Sequence, residues 1–275
     1  MSDLRRKLKI YTPFINAGMQ EVSAYRANWL FYILGDVLAC FVSFFVWEAV
    51  FISNGGELFM GFDKSDMVVY IFMSFLTGQV ISSGGTYNIG EEIKDGSIAM
   101  RMIKPISYNA TFLFQEIGNK LMEIGVIFVP LVAGVEIYRF AVMGELKFDI
   151  LKFLLYFVCC VFAYAINFFF NICYGFTAFV FKNLWGSNML KNTIVSFLSG
   201  AIIPLAFLPD VLKNALIFLP FSSLTYTPVM VYMGMYTGYE LMFFMGIQIF
   251  WAVVFWLLSK LIWKCVINRL SIQGG

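Results

Sequence analysis

The stretch Phe153–Phe181 reads FLLYFVCCVFAYAINFFFNICYGFTAFVF and contains no charged side chain. A helix needs roughly 20 apolar residues to cross the ~30 Å hydrocarbon core of a bilayer. This segment is longer than that, so it predicts a transmembrane helix that tilts or protrudes. The whole chain shares its character. Of 275 residues, 60% are hydrophobic and 13% charged, and the mean hydropathy is +0.80. Soluble domains run near ~45–50% apolar and ~25% charged, and disordered chains are poorer still in apolar residues. There is no histidine, which excludes any mechanism built on a histidine base or histidine metal ligand. The net charge of +2 gives no ground for a nucleic-acid partner. Cys40, Cys159, Cys160, Cys173 and Cys265 lie in or beside apolar runs without CxxC spacing, so neither a metal site nor a redox motif is indicated. The class is an all-α polytopic membrane protein.

Five more segments read as spans: about Ala27–Ile52, Met67–Tyr87, Thr111–Val135, Thr193–Leu208 and Leu241–Ser259. With Phe153–Phe181 as the fourth, six transmembrane helices are expected. The basic cluster Arg5-Arg6-Lys7 is not followed directly by an apolar core, so a cleaved signal is not expected. One side collects Arg5, Arg6, Lys7, Lys9, Arg26, Lys94, Arg101, Lys104, Lys120, Lys182, Lys191, Lys260, Lys264 and Arg269. The other holds only Lys64, Arg139, Lys147, Lys152 and Lys213. Positive residues favour the cytoplasmic side, so both termini are expected there.

Residues 1–26 read as an amphipathic interfacial helix, with Thr12-Pro13 as its cap and first turn. The remaining 27–275 read as one six-span domain. Between spans two and three, Asp95-Gly96 signals a turn, Ser97 is a candidate N-cap and Pro105 ends a short helix near Lys104. Ile98 and Met102 would share an apolar face, with Arg101 and Lys104 elsewhere. Such a knob suits docking into a groove on another protein, or is simply a solvated loop. After span five, Pro204, Pro209, Pro220 and Pro228 rule out one continuous helix. Val211–Leu219 is too short to cross and reads as a re-entrant or interfacial piece on the outer side.

Polar residues inside the spans are candidates for a translocation path, or for hydrogen-bonded packing between helices. They include Asp36, Gln79 and Ser83, and the pair Asn167 and Asn171 four apart on one face. Gly84-Gly85 reads as a hinge or a close helix approach. Glu116, Lys120 and Glu123 form one charged stripe on span three, suited to pairing along the helix.

Three stretches resemble the membrane permeases of type-two ABC exporters, in the bacterial branch of drug- and antibiotic-efflux permeases. They are Tyr25-Arg26-Ala27-Asn28-Trp29 leading to Phe45-Val46-Trp47; Ile93-Lys94-Asp95-Gly96-Ser97-Ile98 with Lys104-Pro105-Ile106-Ser107; and Leu198-Ser199-Gly200, Ile203-Pro204-Leu205, Pro209, Leu219-Pro220-Phe221 and Tyr226-Thr227-Pro228. The resemblance implies an N-terminal connecting helix, six spans, a cytoplasmic coupling helix between spans two and three, and short outer helices between spans five and six. It implies that Glu91, Glu92, Lys94, Asp95, Gly96, Ser97, Ile98, Arg101, Met102, Lys104 and Pro105 contact an ATP-binding subunit. It also places spans two and five at the seam with a second permease, the same or a paralogue, which makes Gln79, Ser83, Ser196 and Gly200 pathway candidates.

The chain has no G-x-x-x-x-G-K-[ST] loop, so it lacks the usual phosphate cradle. ATP and magnesium are expected on a separate partner, in two copies, with none bound by this chain. The expected function is export of an amphipathic or lipophilic cargo across a bacterial plasma membrane by alternating access. An ion-gradient-driven transporter is the rival; it would want embedded acidic residues and often an inverted repeat. An intramembrane enzyme lacks a visible nucleophile–base pair, and a non-transporting scaffold remains open.

Overall fold

The structure is a computed structural model, and it describes residues 2–55, 58–104, 106–143, 149–181 and 183–267. More than four fifths of the described residues are helical. Among the described residues the only extended pairing is an isolated bridge between Phe59 and Phe62.

Helix α1, Ser2–Ala24, runs through Pro13. The expected start at Thr12-Pro13 is therefore corrected: the helix begins eleven residues before that proline. Packing outweighs the lost backbone bond, because α1 lies tightly along α6, Tyr108–Glu123. Tyr11 stacks on Phe114 with ring centroids 4.8 Å apart. Two glycines permit the approach. A Cβ on Gly118 would lie 2.0 Å from the Ile15 carbonyl oxygen, and one on Gly18 would lie 2.1 Å from that of Gln115. Gly118→Leu is expected to destabilise the protein by about 1–3 kcal/mol through overpacking. The check is the thermal midpoint in detergent together with protease cleavage within α1; an unchanged midpoint and an uncut α1 would refute the contact.

Span one is α2, Arg26–Ser53. Span two is two helices, α3 (Lys64–Ile81) and α4 (Gly85–Asp95). A capping box starts α3: Asp63 Oδ1 accepts from the Asp66 amide at 2.6 Å, and Asp66 returns the contact. Residues 90–95, read as loop, belong to α4, which ends where Gly96 takes φ +79°. The short α5 is Ile98–Met102. Span three is α6, a π-helical turn at Ile124–Phe128, and α7, Val129–Met143. The widened turn ends two residues before Pro130, which has no amide hydrogen for the regular ladder. Span three is thus about 54 Å long, more than a ~30 Å core requires.

Span four is α8, Ile150–Gly175, continued by a 3-10 turn at Phe176–Phe179. Next come α9 (Trp185–Leu198), a 3-10 turn at Leu205–Phe207, α10 (Asp210–Phe218) and α11 (Tyr226–Met233). Span six is α12, Gly238–Ile267.

Among the described residues, five helical segments are long and apolar enough to cross a membrane. The expected fifth span at 193–208 is not one helix. Its helix starts at Trp185, ends at Leu198, and covers only about 21 Å. The piece Val211–Leu219 is a short helix as expected, α10, and the buried short element beside it is α11. Every residue from Tyr226 to Tyr232 is buried, whereas Val211, Leu212 and Phe218 of α10 are exposed.

Span two is the centre of the bundle. Of its crossing stretch, 61% is buried inside the chain, against 6% for span one and 11% for span six. Met67, Tyr70, Met73 and Leu76 pack with Tyr156 of α8 and with Tyr226 and Val229 of α11. This chain's own helices therefore cover much of α3. A second core joins Ile89, Ile98, Tyr108, Phe112, Phe168, Ile172 and Phe176.

Candidate functional site

Between Ile81 and Gly85 the backbone of span two leaves the helix. Such a break orphans the last carbonyls of α3, and inside a bundle they need donors. Neighbouring spans supply them. Lys120 of α6 donates to the Gln79 carbonyl at 2.7 Å. Asn167 of α8 donates to the Ile81 carbonyl at 2.8 Å. Ser83, within the break, donates to Glu116 Oε1 at 3.0 Å, and Tyr164 donates to Glu116 Oε2 at 2.9 Å. Lys120 also pairs with Glu123 at 2.8 Å and contacts Ser82. From span one, Asp36 accepts from the Gln79 side chain at 2.8 Å. The charged stripe on span three is thus split. Lys120 and Glu123 pair as expected of neighbours, but Glu116 turns away to Ser83 and Tyr164.

The asparagine pair extends this network. Asn171 donates to Asn167 Oδ1 at 2.9 Å and accepts from Thr86 at 2.7 Å. It also accepts from Lys191 of α9, whose ammonium lies 5.0 Å from the Tyr174 ring centroid. Lys191 is 9% exposed, and among the described residues no carboxylate pairs with it. The sequence reading placed Lys191 on the cytoplasmic side and Lys120 with it; the fold bonds both within the bundle, and with Arg139 likewise paired on α7 twelve basic residues against four remain for orientation. A continuous polar chain therefore runs from Asp36 through Gln79, the break, Asn167 and Asn171 to Lys191. Asp36, Gln79, Ser83, Asn167 and Asn171 meet along it. Ser196 and Gly200 do not: the Gly200 carbonyl accepts from Tyr70 at 2.6 Å, and the Ser196 carbonyl accepts from Ser199.

Sequence reasoning missed another buried group. Glu136 and Arg139 lie on α7 beyond the expected end of span three, 3.2 Å apart, and Tyr232 of α11 donates to Glu136. Their spacing of three was the available signal. Of the outer prolines, Pro204 precedes the 3-10 turn, Pro209 precedes α10 and Pro220 is buried before α11.

The segment after α4 is also rearranged relative to expectation. Ile98 is 4% exposed and belongs to the second core, so it is not the outward knob. Arg101 is bound inward. It pairs with Glu92 at 2.5 Å, hydrogen-bonds Thr111 at 3.1 Å and lies 4.1 Å from the Phe112 ring centroid. The outward apolar side chains are Met100, 68% exposed, and Ile103, 76% exposed, beside exposed Lys104. Glu91 and Lys94 pair at 3.4 Å on the surface of α4. Asp95 accepts from the Ser97 amide at 2.8 Å, so Ser97 is not a side-chain cap. Pro105 and the side chain of Met102 lie outside the described residues.

An all-helical bundle of crossing length, centred on an interrupted span and threaded by buried polar groups, is built as a polytopic membrane protein. Residues 37–274 match the model of a family described as ABC-2 family transporter protein. The chain belongs to that family and is a permease subunit of the type-two ABC class. Permeases of this family work with ATP-binding subunits. A search of curated proteins finds no match to the chain.

Proposed function

We propose that this permease serves an ATP-driven exporter that moves an amphipathic or lipophilic cargo outward by alternating access. Two copies of an ATP-binding subunit dock at the α4–α5 segment, carrying ATP and magnesium. The protein sits in a bacterial plasma membrane with both termini cytoplasmic. The observation that supports this reading best is the outward pair Met100 and Ile103 on a helix pinned from behind by Ile98 and by the Arg101–Glu92 pair. Exposed apolar anchors on a rigid, charge-flanked turn suit a protein groove. A second permease belongs against α9. Its outer side shows Asn192 and Thr193 beside Trp185, Leu190 and Ile194, and polar groups there favour protein or water over lipid. The break in span two is the hinge: rocking of packed helices has discrete arrangements, and the donors on α6 and α8 hold one of them.

The test is purification of the tagged chain from mild detergent, followed by identification of co-eluting subunits and an ATPase assay. A co-eluting ATP-binding subunit with ATP hydrolysis supports the reading; a lone chain without hydrolysis overturns it. Ion-driven carriers also use interrupted helices with embedded acids, and Glu116 beside the break is such a feature. Transport that stops with an uncoupler while ATP is held constant would favour that mechanism.

Lys191 gives a separate expectation. Thr86 and Asn171 stay bonded to each other without it, and removing a buried charge that has only neutral partners costs little. Lys191→Met is thus expected to keep the thermal midpoint within about 1 kcal/mol of stability while lowering cargo-stimulated ATPase activity. A variant that unfolds, or one that transports normally, would remove Lys191 from the path.

A further inference from the structure

We infer that the cavity between the start of α6, α8 and the end of α12 binds the phosphate headgroup of an anionic phospholipid. The cavity holds about 450 Å³ and is lined by Asn109, Phe169, Trp256, Lys260, Trp263 and Lys264, among others. Lys260 and Lys264 are four apart on α12, so they share a face and repel. Among the described residues neither pairs with a carboxylate; Lys260 lies 3.5 Å from the Trp256 ring centroid. The other cation at the rim, Arg101, is already paired with Glu92. An anion seated between the two lysines relieves the repulsion. Asn109, whose buried side-chain oxygen has no partner among the described residues, lines the same cavity.

The remaining wall decides between a lipid and a free ion. Phe168, Phe169 and Leu113 continue the cavity as an apolar surface, which a phosphate ion does not fill. Trp256 and Trp263 flank Lys260 along α12, and Lys264 follows directly, the placement tryptophan takes where hydrocarbon meets water. Span six is little covered by the chain, so the cavity is reachable from the bilayer. Basic pockets between helices at this level recognise acidic headgroups.

The test is native mass spectrometry of the full-length protein from equimolar phosphatidylglycerol and phosphatidylcholine. The wild type is expected to retain phosphatidylglycerol selectively. Each lysine near an anionic headgroup contributes about fivefold, so Lys260→Gln with Lys264→Gln should lower the retained ratio roughly thirtyfold. Arginine at both positions should preserve it. Lys94→Gln with Lys104→Gln, which removes equal charge outside the cavity, should leave it unchanged. Equal retention of the two lipids by the wild type, or an equal drop in the Lys94 and Lys104 variant, overturns the inference. Inorganic phosphate that strips the lipid at millimolar concentration would assign the site to a free ion and overturn it too. Should the glutamine variant fail to fold, brominated acyl chains decide in the wild type: brominated phosphatidylglycerol must quench tryptophan emission more than brominated phosphatidylcholine, and equal quenching refutes the site.

Discussion

Met100→Asp combined with Ile103→Asp is expected to lower affinity for the ATP-binding subunit on the order of 100-fold. Both side chains stand in solvent in the isolated permease, so their loss leaves the bundle intact. In a docked complex the two new carboxylates would be buried without partners, the most costly outcome at an interface centre. The measurement is co-purification yield alongside the thermal midpoint of the permease alone. Full recovery of the partner would place the docking surface elsewhere. Ile98→Asp is the contrasting variant. It puts a charge into the second core and is expected to unfold the permease itself.

The second large effect is at Lys120. Its ammonium binds the Gln79 carbonyl, Ser82 and Glu123 at once. Lys120→Met leaves a carbonyl at the break without its donor and Glu123 without its cation. Breaking such a half-buried pair is expected to destabilise the protein by about 3–5 kcal/mol. Lys94→Met removes an exposed pair and should change stability by less than about 1 kcal/mol. Thermal unfolding in detergent compares the two. If Lys120→Met unfolds with the wild type, span three does not hold the break, and the hinge must be sought elsewhere. Coupled ATPase activity should fall with Lys120→Met even under conditions where the protein remains folded.

Much of the fold was legible because apolar length is a strong signal: a charge-free run such as Phe153–Phe181 has few other destinations. The departures have local causes. Pro13 reads as a helix start, but packing of α1 through Gly18 and Gly118 carries the helix past it. The break at Ser82–Gly84 is invisible in hydropathy, since its donors, Lys120 and Asn167, come from segments far along the chain. Lys191 looked like the edge of a span because its partners are equally remote. In α5 the difficulty is symmetry. Ile98 with Met102 and Met100 with Ile103 are two apolar pairs on one short helix, and periodicity alone cannot say which pair faces inward. The core around Tyr108 and Phe112 chooses Ile98.

That choice has a consequence for how such transporters diversify. Within α5 and the residue after it, the side chains turned to the bundle, Ile98 and Arg101, alternate with those turned to solvent, Met100 and Ile103. With the ATP-binding subunit docked as proposed, recognition and architecture are written on separate letters of the same short word. Exchanging the outward letters can re-address the permease to a different motor without disturbing the machinery it drives.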